Sequence, residues 1–300
     1  MKKKTYLFAL MAMVLTLGSC SDNENGIGGE TSKYITVSTS IGNMTRVATD
    51  AKGGQTFEEG DEISVYAWTG APTVAPETSE RVVNNAINKL TNGSWVSTPQ
   101  MLWKNNRDKH YFIGVYPTAA ISDLSAGEYT FDVNKQTESD LLVAVNKDGL
   151  SYNVDEQQTV PLTFTHVMAK LAVNLTYKNQ WGGIPTVEKV VVGNAAKEAT
   201  INYLTKVVTP STTAKEDFSL PEITENTKYV SVIIPQEDVK QLTIVIGGKN
   251  FVYDNGTPFK LESGKITTVN LEVGRDEIKL GDVKITNWED GSTFSGEALN

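Results

Sequence analysis

From residue 34 onward apolar and polar side chains trade places at every second position, and that period confines most of the chain to β-strands. In "YITVSTSI" (34–41) Ile35, Val37 and Ile41 share one face, and Thr36, Ser38 and Ser40 share the other. The same alternation runs through "DEISVYAW" (61–68), "VPLTF" (160–164), "KLAVNLTY" (170–177), "YVSVII" (229–234), "QLTIVI" (241–246) and "TTVNLEV" (267–273). Asn92-Gly93, Asp148-Gly149 and Asn255-Gly256 supply turn chemistry between such runs. Only 80–90 and 236–240 offer weak helical patterns, and no βαβ rhythm is present. Short strands joined by turns point to an all-β protein built from antiparallel sandwiches. A division near residue 165 gives two halves, 33–165 and 166–300, each large enough for its own core.

The beginning of the chain obeys different rules. Lys2, Lys3 and Lys4 precede an apolar run from Tyr6 to Leu17, then the small residues Gly18 and Ser19. That is the layout of a secretory signal peptide over residues 1–19, too short for a bilayer span of roughly 20 apolar residues. Leu17-Gly18-Ser19-Cys20 resembles a bacterial lipobox, which implies that Cys20, the sole cysteine, becomes the acylated first residue of the exported protein. Two or more acyl chains give lasting membrane attachment where one gives only marginal binding. A lone cysteine rules out an intramolecular disulfide framework. Residues 20–32 are polar and Gly-rich and read as a flexible tether. Losing the signal removes three lysines and no acidic residue, so the formal charge moves from −9 to −12. So acidic a surface disfavours nucleic acid and anionic lipid as partners.

Enzyme chemistry finds little purchase. His110 and His166 are the only histidines, and no Cys/His ligand set, H-E-x-x-H or G-x-S-x-G motif occurs. Glu58, Glu59, Asp61 and Glu62 surround Gly60 just before a strand, which favours a solvated turn over acid–base catalysis. "YDNGTP" (253–258) reads as a hairpin turn and "SGKIT" (263–267) as a turn entering a strand. The residues call for no metal and no cofactor. Five tryptophans, 68, 95, 103, 181 and 288, would serve as stacking platforms in a glycan-binding module if exposed, but as core in a sandwich.

An ordered series of segments carries a family resemblance: the lipobox, "NMTRVAT" (43–49), "FEEGDEISVYAW" (57–68), "LTFTHVMAKLAVNL" (162–175), "VSVIIPQ" (230–236), "SGKITTVNLEV" (263–273) and "ITNWEDG" (285–291). In this order and spacing the chain resembles the fimbrillins, the subunits of type V pili of Gram-negative anaerobes. The resemblance implies two tandem antiparallel β-sandwich domains of transthyretin-like, Greek-key type, and export to the outer membrane as a lipoprotein. It further implies cleavage by an arginine-specific protease in the loop after the first strand, here after Arg46 and before Val47. The displaced strand would carry Ile35, Val37 and Ile41, and a strand from another fimbrial subunit would take its place. The family's donor is C-terminal, where Ile278, Leu280, Val283, Ile285 and Trp288 are the apolar candidates. Gly281-Asp282 offers the alternative of a tail folded back as its own hairpin.

Strand physics agrees with such a scheme. Burying three large apolar side chains contributes about 5–9 kcal/mol, comparable to the stability of a whole domain. The groove left by their removal would expose an unpaired edge that another strand can complete. A lipid-anchored protein that is never cut, acting as an anchor or tip subunit or as a monomeric binder of glycan or host protein, fits the same residues. Replacing Cys20 with serine is expected to abolish metabolic labelling with palmitate in the native host. Undiminished label would sink the lipid assignment.

Overall fold

The computed structural model describes residues 33–42, 56–156, 158–254 and 256–288, all within one compact unit. The signal region 1–19, the tether 20–32 with Cys20, and the Arg46-Val47 pair lie outside the described residues. Nineteen strands are described. The first eight are β1 (Thr36–Ile41), β2 (Glu62–Thr69), β3 (Val83–Thr91), β4 (Ser94–Thr98), β5 (His110–Tyr116), β6 (Gly127–Thr130), β7 (Leu142–Leu150) and β8 (Thr159–His166). They are followed by β9 (Ala169–Tyr177), β10 (Val187–Ala196), β11 (Glu198–Asn202), β12 (Val207–Pro210), β13 (Lys215–Ser219) and β14 (Glu222–Thr224). The series ends with β15 (Lys228–Ile233), β16 (Gln241–Ile246), β17 (Lys249–Asp254), β18 (Lys265–Val273) and β19 (Ile278–Asn287). Among the described residues the one α-helical element is a single turn, α1 (Gln136–Ser139). The weak helical patterns fail: most of 80–90 is strand β3, and 236–240 forms no helix. Val83, Ala86 and Asn88 are buried along β3, so packing against the sheet overrides a pattern that was ambiguous by itself.

Seven strands in the order β1-β8-β7-β5-β2-β3-β4 form the first sheet. Its two ends return to each other. The Trp95 indole N–H of β4 donates to Thr39 Oγ1 of β1 at 3.0 Å. Just beyond β4, the Met101 carbonyl accepts the Ile35 N–H at 3.0 Å. The curled sheet encloses a core of Ile35, Val37, Ile41, Ile63, Val65, Phe112, Val160, Leu162 and Phe164. Its other face, with Tyr66, Trp68, Ile113 and Val143, joins a second and larger core supplied mainly by residues 167–288. Strands on either side of residue 165 thus share one apolar interior. A three-stranded sheet, β12-β11-β6, also draws from both sides of that junction. A four-stranded sheet (β13-β10-β16-β17) and a five-stranded sheet (β14-β15-β9-β18-β19) complete the unit.

Two pairings, β1 with β8 and β18 with β9, are parallel. Alternation indicates a strand but not its direction, and neither pair is joined by a hairpin that would enforce antiparallel pairing. Turn chemistry is met in part. Asn92 and Gly93, at φ 51° and 73°, make the two-residue turn between β3 and β4. Gly149, by contrast, lies inside β7, where the register against β5 shifts; its φ of 66° and the Tyr111 ring alongside leave no room for a Cβ. Of the Asn255-Gly256 turn, Asn255 lies outside the described residues; the next described strand after Asp254 begins at Lys265.

Gly114 in β5 shows how tightly the first core is fitted. A Cβ there would stand 2.6 Å from Cζ of the fully buried Phe164 ring. Gly114→Ala is expected to destabilise the chain by about 1–3 kcal/mol, the usual range for forcing extra volume into a packed interior. The shift would be read from the denaturant midpoint; an unchanged midpoint would mean the ring is free to move.

Candidate functional site

The first strand occupies a groove with unequal walls. On one side β1 forms a parallel ladder with β8, Thr36 opposite Thr159 through Ile41 opposite Phe164, continued by the Gly42 N–H to the Phe164 carbonyl at 2.8 Å. β8 pairs with β7 only from Phe164 to His166, so its stretch from Thr159 to Thr163 has β1 as its one ladder partner. Pro161, which has no N–H, is tolerated in the middle of that stretch for the same reason. On the other side the contacts are sparser: the Ile35 N–H to Met101, the Trp103 N–H to the Lys33 carbonyl at 3.2 Å, and the Trp95–Thr39 bond. Ile35, Val37 and Ile41 are all buried, at 1%, 6% and 7% exposure. Thr39 shares their face, and its polar oxygen is accounted for by the Trp95 indole.

Phe57 closes the end of this groove where β1 finishes. Its ring meets Trp95, Tyr116 and Phe164 edge-on at centroid distances of 5.3, 5.4 and 5.1 Å. The sequence offered little sign of this role, because Phe57 belongs to no alternating run and precedes its strand by several turn residues.

At the other terminus β19 pairs with β18 along its full length and is the outermost strand of its sheet. The fold-back is made by the turn at 274–277, closed by the Gly274 N–H to the Glu277 carbonyl at 2.8 Å and by a Lys178–Glu277 ion pair. Gly281-Asp282 is therefore not the turn. Gly281 is the extra residue of a bulge, and a Cβ on it would lie 3.2 Å from the Asn270 carbonyl. The bulge has a consequence for the apolar residues: Ile278 and Leu280 before it, and Val283 and Ile285 after it, all fall on the face of the buried row Val273, Leu271, Val269 and Thr267. Leu280, Val283 and Ile285 remain 37–38% exposed at that edge. Trp288 is buried: its N–H donates to the Gly264 carbonyl at 2.9 Å, and its ring stacks on His166 at 3.9 Å. Lys170 Nζ lies 4.1 Å from the same ring, and His166 Nδ1 sits 2.8 Å from Asp140 Oδ1. Burial pushes the Lys170 ammonium below its usual pKa, with the Asp140 carboxylate opposing that shift.

The remaining sequence candidates among the described residues assemble no reactive centre. His110 is fully buried; its Nε2 accepts the Lys104 N–H at 3.0 Å, so Nδ1 carries the proton toward the Asp108 carbonyl. Desolvation lowers its pKa, which favours that neutral form. The acidic group around Gly60 is a turn: the Glu58 N–H donates to Asp61, Glu59 accepts the Asn92 N–H, and Glu62 pairs with Lys89. Among the described residues no group of three or more His, Cys, Asp or Glu side chains is placed to hold a metal ion. Trp68, Trp103 and Trp288 are buried, while Trp95 and Trp181 are half-buried and donate to Thr39 and to the Val273 carbonyl. That arrangement disfavours an aromatic glycan platform. Arg81 is buried and caps the carbonyls of Ile121 and Ser122, whereas Arg275 is exposed in the turn before β19.

The description of the fimbrillin-like family matches residues 45–288 of this sequence. The chain belongs to that family. Among curated proteins, none matches the sequence. Solved structures share the fold of this fimbrillin-like chain at low identity. A protein of Bacteroides uniformis, described as a candidate cell adhesion protein, is 18% identical with a TM-score of 0.64, over 86% of this chain and 100% of its own. A counterpart from Bacteroides ovatus is 18% identical with a TM-score of 0.61, over 85% and 98%. The tip fimbrial protein Mfa3 of Porphyromonas gingivalis, solved with a C-terminal truncation, is 12% identical with a TM-score of 0.50, over 77% and 95%.

In this fimbrillin-like fold Trp288 fastens the last strand. Trp288→Ala is expected to lower the local opening energy of β19 by about 3 kcal/mol, within the range for truncating a buried aromatic. Hydrogen exchange should then accelerate at amides 278–287 while the β9–β18 ladder stays protected. Equal acceleration in both would assign Trp288 to the core as a whole rather than to the strand.

Proposed function

We propose that this chain is a structural pilus subunit, exported as a lipoprotein on Cys20 and assembled by β-strand exchange after cleavage between Arg46 and Val47. The observation that carries this reading is the one-sided dependence of β8 on β1. Taking away β1 uncovers the sites of Ile35, Val37 and Ile41 and leaves Thr159–Thr163 without a ladder partner. Such a groove is completed by another extended segment with apolar residues on one face. β19 supports the donor role by its place at a sheet edge, by its single ladder, and by Leu280, Val283 and Ile285 half-exposed in a row. An arginine-specific protease is the partner that starts the process, other fimbrial subunits are the partners that continue it, and the outer membrane holds the uncut chain by its lipid. Adhesion is a property of the assembled fibre.

A role as an uncut anchor or tip subunit rests on the same groove remaining filled by its own β1. The decisive experiment is the N-terminus and intact mass of the protein taken from its native cell surface. A chain beginning at Val47, lipid-free and in SDS-resistant ladders that Arg46→Ala abolishes, is the expected result. An acylated Cys20 terminus on a monomer would remove the shaft role.

A further inference from the structure

We infer that Phe57 is the built-in end stop of the β1 groove, holding its two walls one strand apart and fixing where an incoming strand from a second copy of this chain must finish. The inference rests on the strand-exchange reading above. β1 is flanked by β8 through its ladder and by β4 through the Trp95–Thr39 bond. Every one of those bonds departs with β1. Phe57 touches both walls without using β1: Trp95 belongs to β4 and Phe164 to β8, and Tyr116 of β5 forms the floor between them. Three edge-on ring contacts from one side chain resist both widening and collapse, because each is orientation-dependent. Phe57 also follows Arg46 in the sequence, so it stays with the cut chain.

The location of the ring gives it a second task. Phe164 is the residue opposite Ile41, the last of β1. A strand taking the place of β1 in the same direction arrives at Phe57 when its final inward side chain reaches the Ile41 site. A one-residue slip turns every apolar side chain outward, whereas a two-residue slip keeps them inward but misplaced along the groove. A fixed stop at one end therefore selects the register in which three apolar side chains enter together. A groove held open before the strand arrives also spares the ordering cost that would otherwise weaken binding.

The test uses the full chain as wild type, Phe57→Ala and Phe57→Tyr, each cut by an arginine-specific protease with the cut verified by N-terminal sequencing. The released N-terminal fragment is displaced in mild urea and removed. The probe is a fluorescent peptide of residues 33–42, KYITVSTSIG, followed by anisotropy. Wild type is expected to bind it, Phe57→Ala at least tenfold more weakly, and Phe57→Tyr nearly as well as wild type, with the uncut chains melting alike. A peptide carrying Gly42→Trp should bind wild type more weakly than the native peptide, and Phe57→Ala should erase that difference. Equal affinity of wild type and Phe57→Ala for the native peptide overturns the end-stop role and leaves strand exchange standing. Wild type that binds neither peptide overturns both, and a loss in Phe57→Ala accompanied by collapse of the uncut chain's melting temperature makes Phe57 a core residue only.

Discussion

The parallel ladder between β1 and β8 is the contact on which the first half of the molecule depends. It is the one ladder available to β8 between Thr159 and Thr163, and it brings Ile35, Val37 and Ile41 into the interior of a sheet that curls until its ends meet. Neither part is stable alone. A single strand cannot hold three buried side chains in place without a partner, and β8 without β1 would present bare amide and carbonyl groups above an open core. The contribution of that burial, about 5–9 kcal/mol as an upper figure, rivals the stability of the domain it completes.

β8 serves both chain ends. Its first six residues, Thr159 to Phe164, hold β1, and its last, His166, stacks on Trp288 just beyond β19. The segment "LTFTHVMAKL" therefore changes its pattern part-way: Leu162 and Phe164 alternate into the first core, while the consecutive Val167, Met168 and Ala169, with Leu171, enter the second. The two cores lie against opposite faces of the first sheet, so the apolar interior runs across residue 165, which itself falls inside β8. Gly127 records the same continuity: the Tyr203 ring lies where its Cβ would stand, so β6 packs against the strands that follow residue 165 as closely as against its own neighbours.

Strand content was legible because β1, β2, β8, β9, β15, β16 and β18 each carry a period of two in their residue types, even where, as in β2, both faces are buried. The buried row of β1 was readable for the same reason. Direction, bulges and end contacts were not. Parallel pairing arises between strands brought together by the whole fold, and no local residue encodes it. Gly281 and Gly149 look like turn residues because a bulge and a turn ask for the same missing Cβ, and only the partner strand distinguishes them. Phe57 was invisible as a plug since its three partners come from 95, 116 and 164, positions that no local pattern relates. Within the candidate site, the residues that fill the groove could be read in advance, and those that shape it could not.

Covalent linkage decides when such a groove can change occupant. Thirteen residues separate Gly42 from Thr56 in the sequence, so β1 is covalently held to the rest of its own groove through a short stretch of chain. A short covalent link raises the effective concentration of a strand at its site to about the millimolar range, far above that of any free subunit in transit. A competing strand of equal intrinsic affinity would lose to β1 for as long as the link is intact. Under the proposed cut the contacts in the groove would be unchanged, but departure would become irreversible, because a released strand dilutes away. Under strand exchange the uncut state is therefore the export form by mass action alone, with no chaperone needed to cap the groove. Under the proposed exchange the same logic would give growth a direction: a copy whose β1 stays linked would lend β19 to a neighbour without receiving a strand, and so would terminate a fibre on its acceptor side.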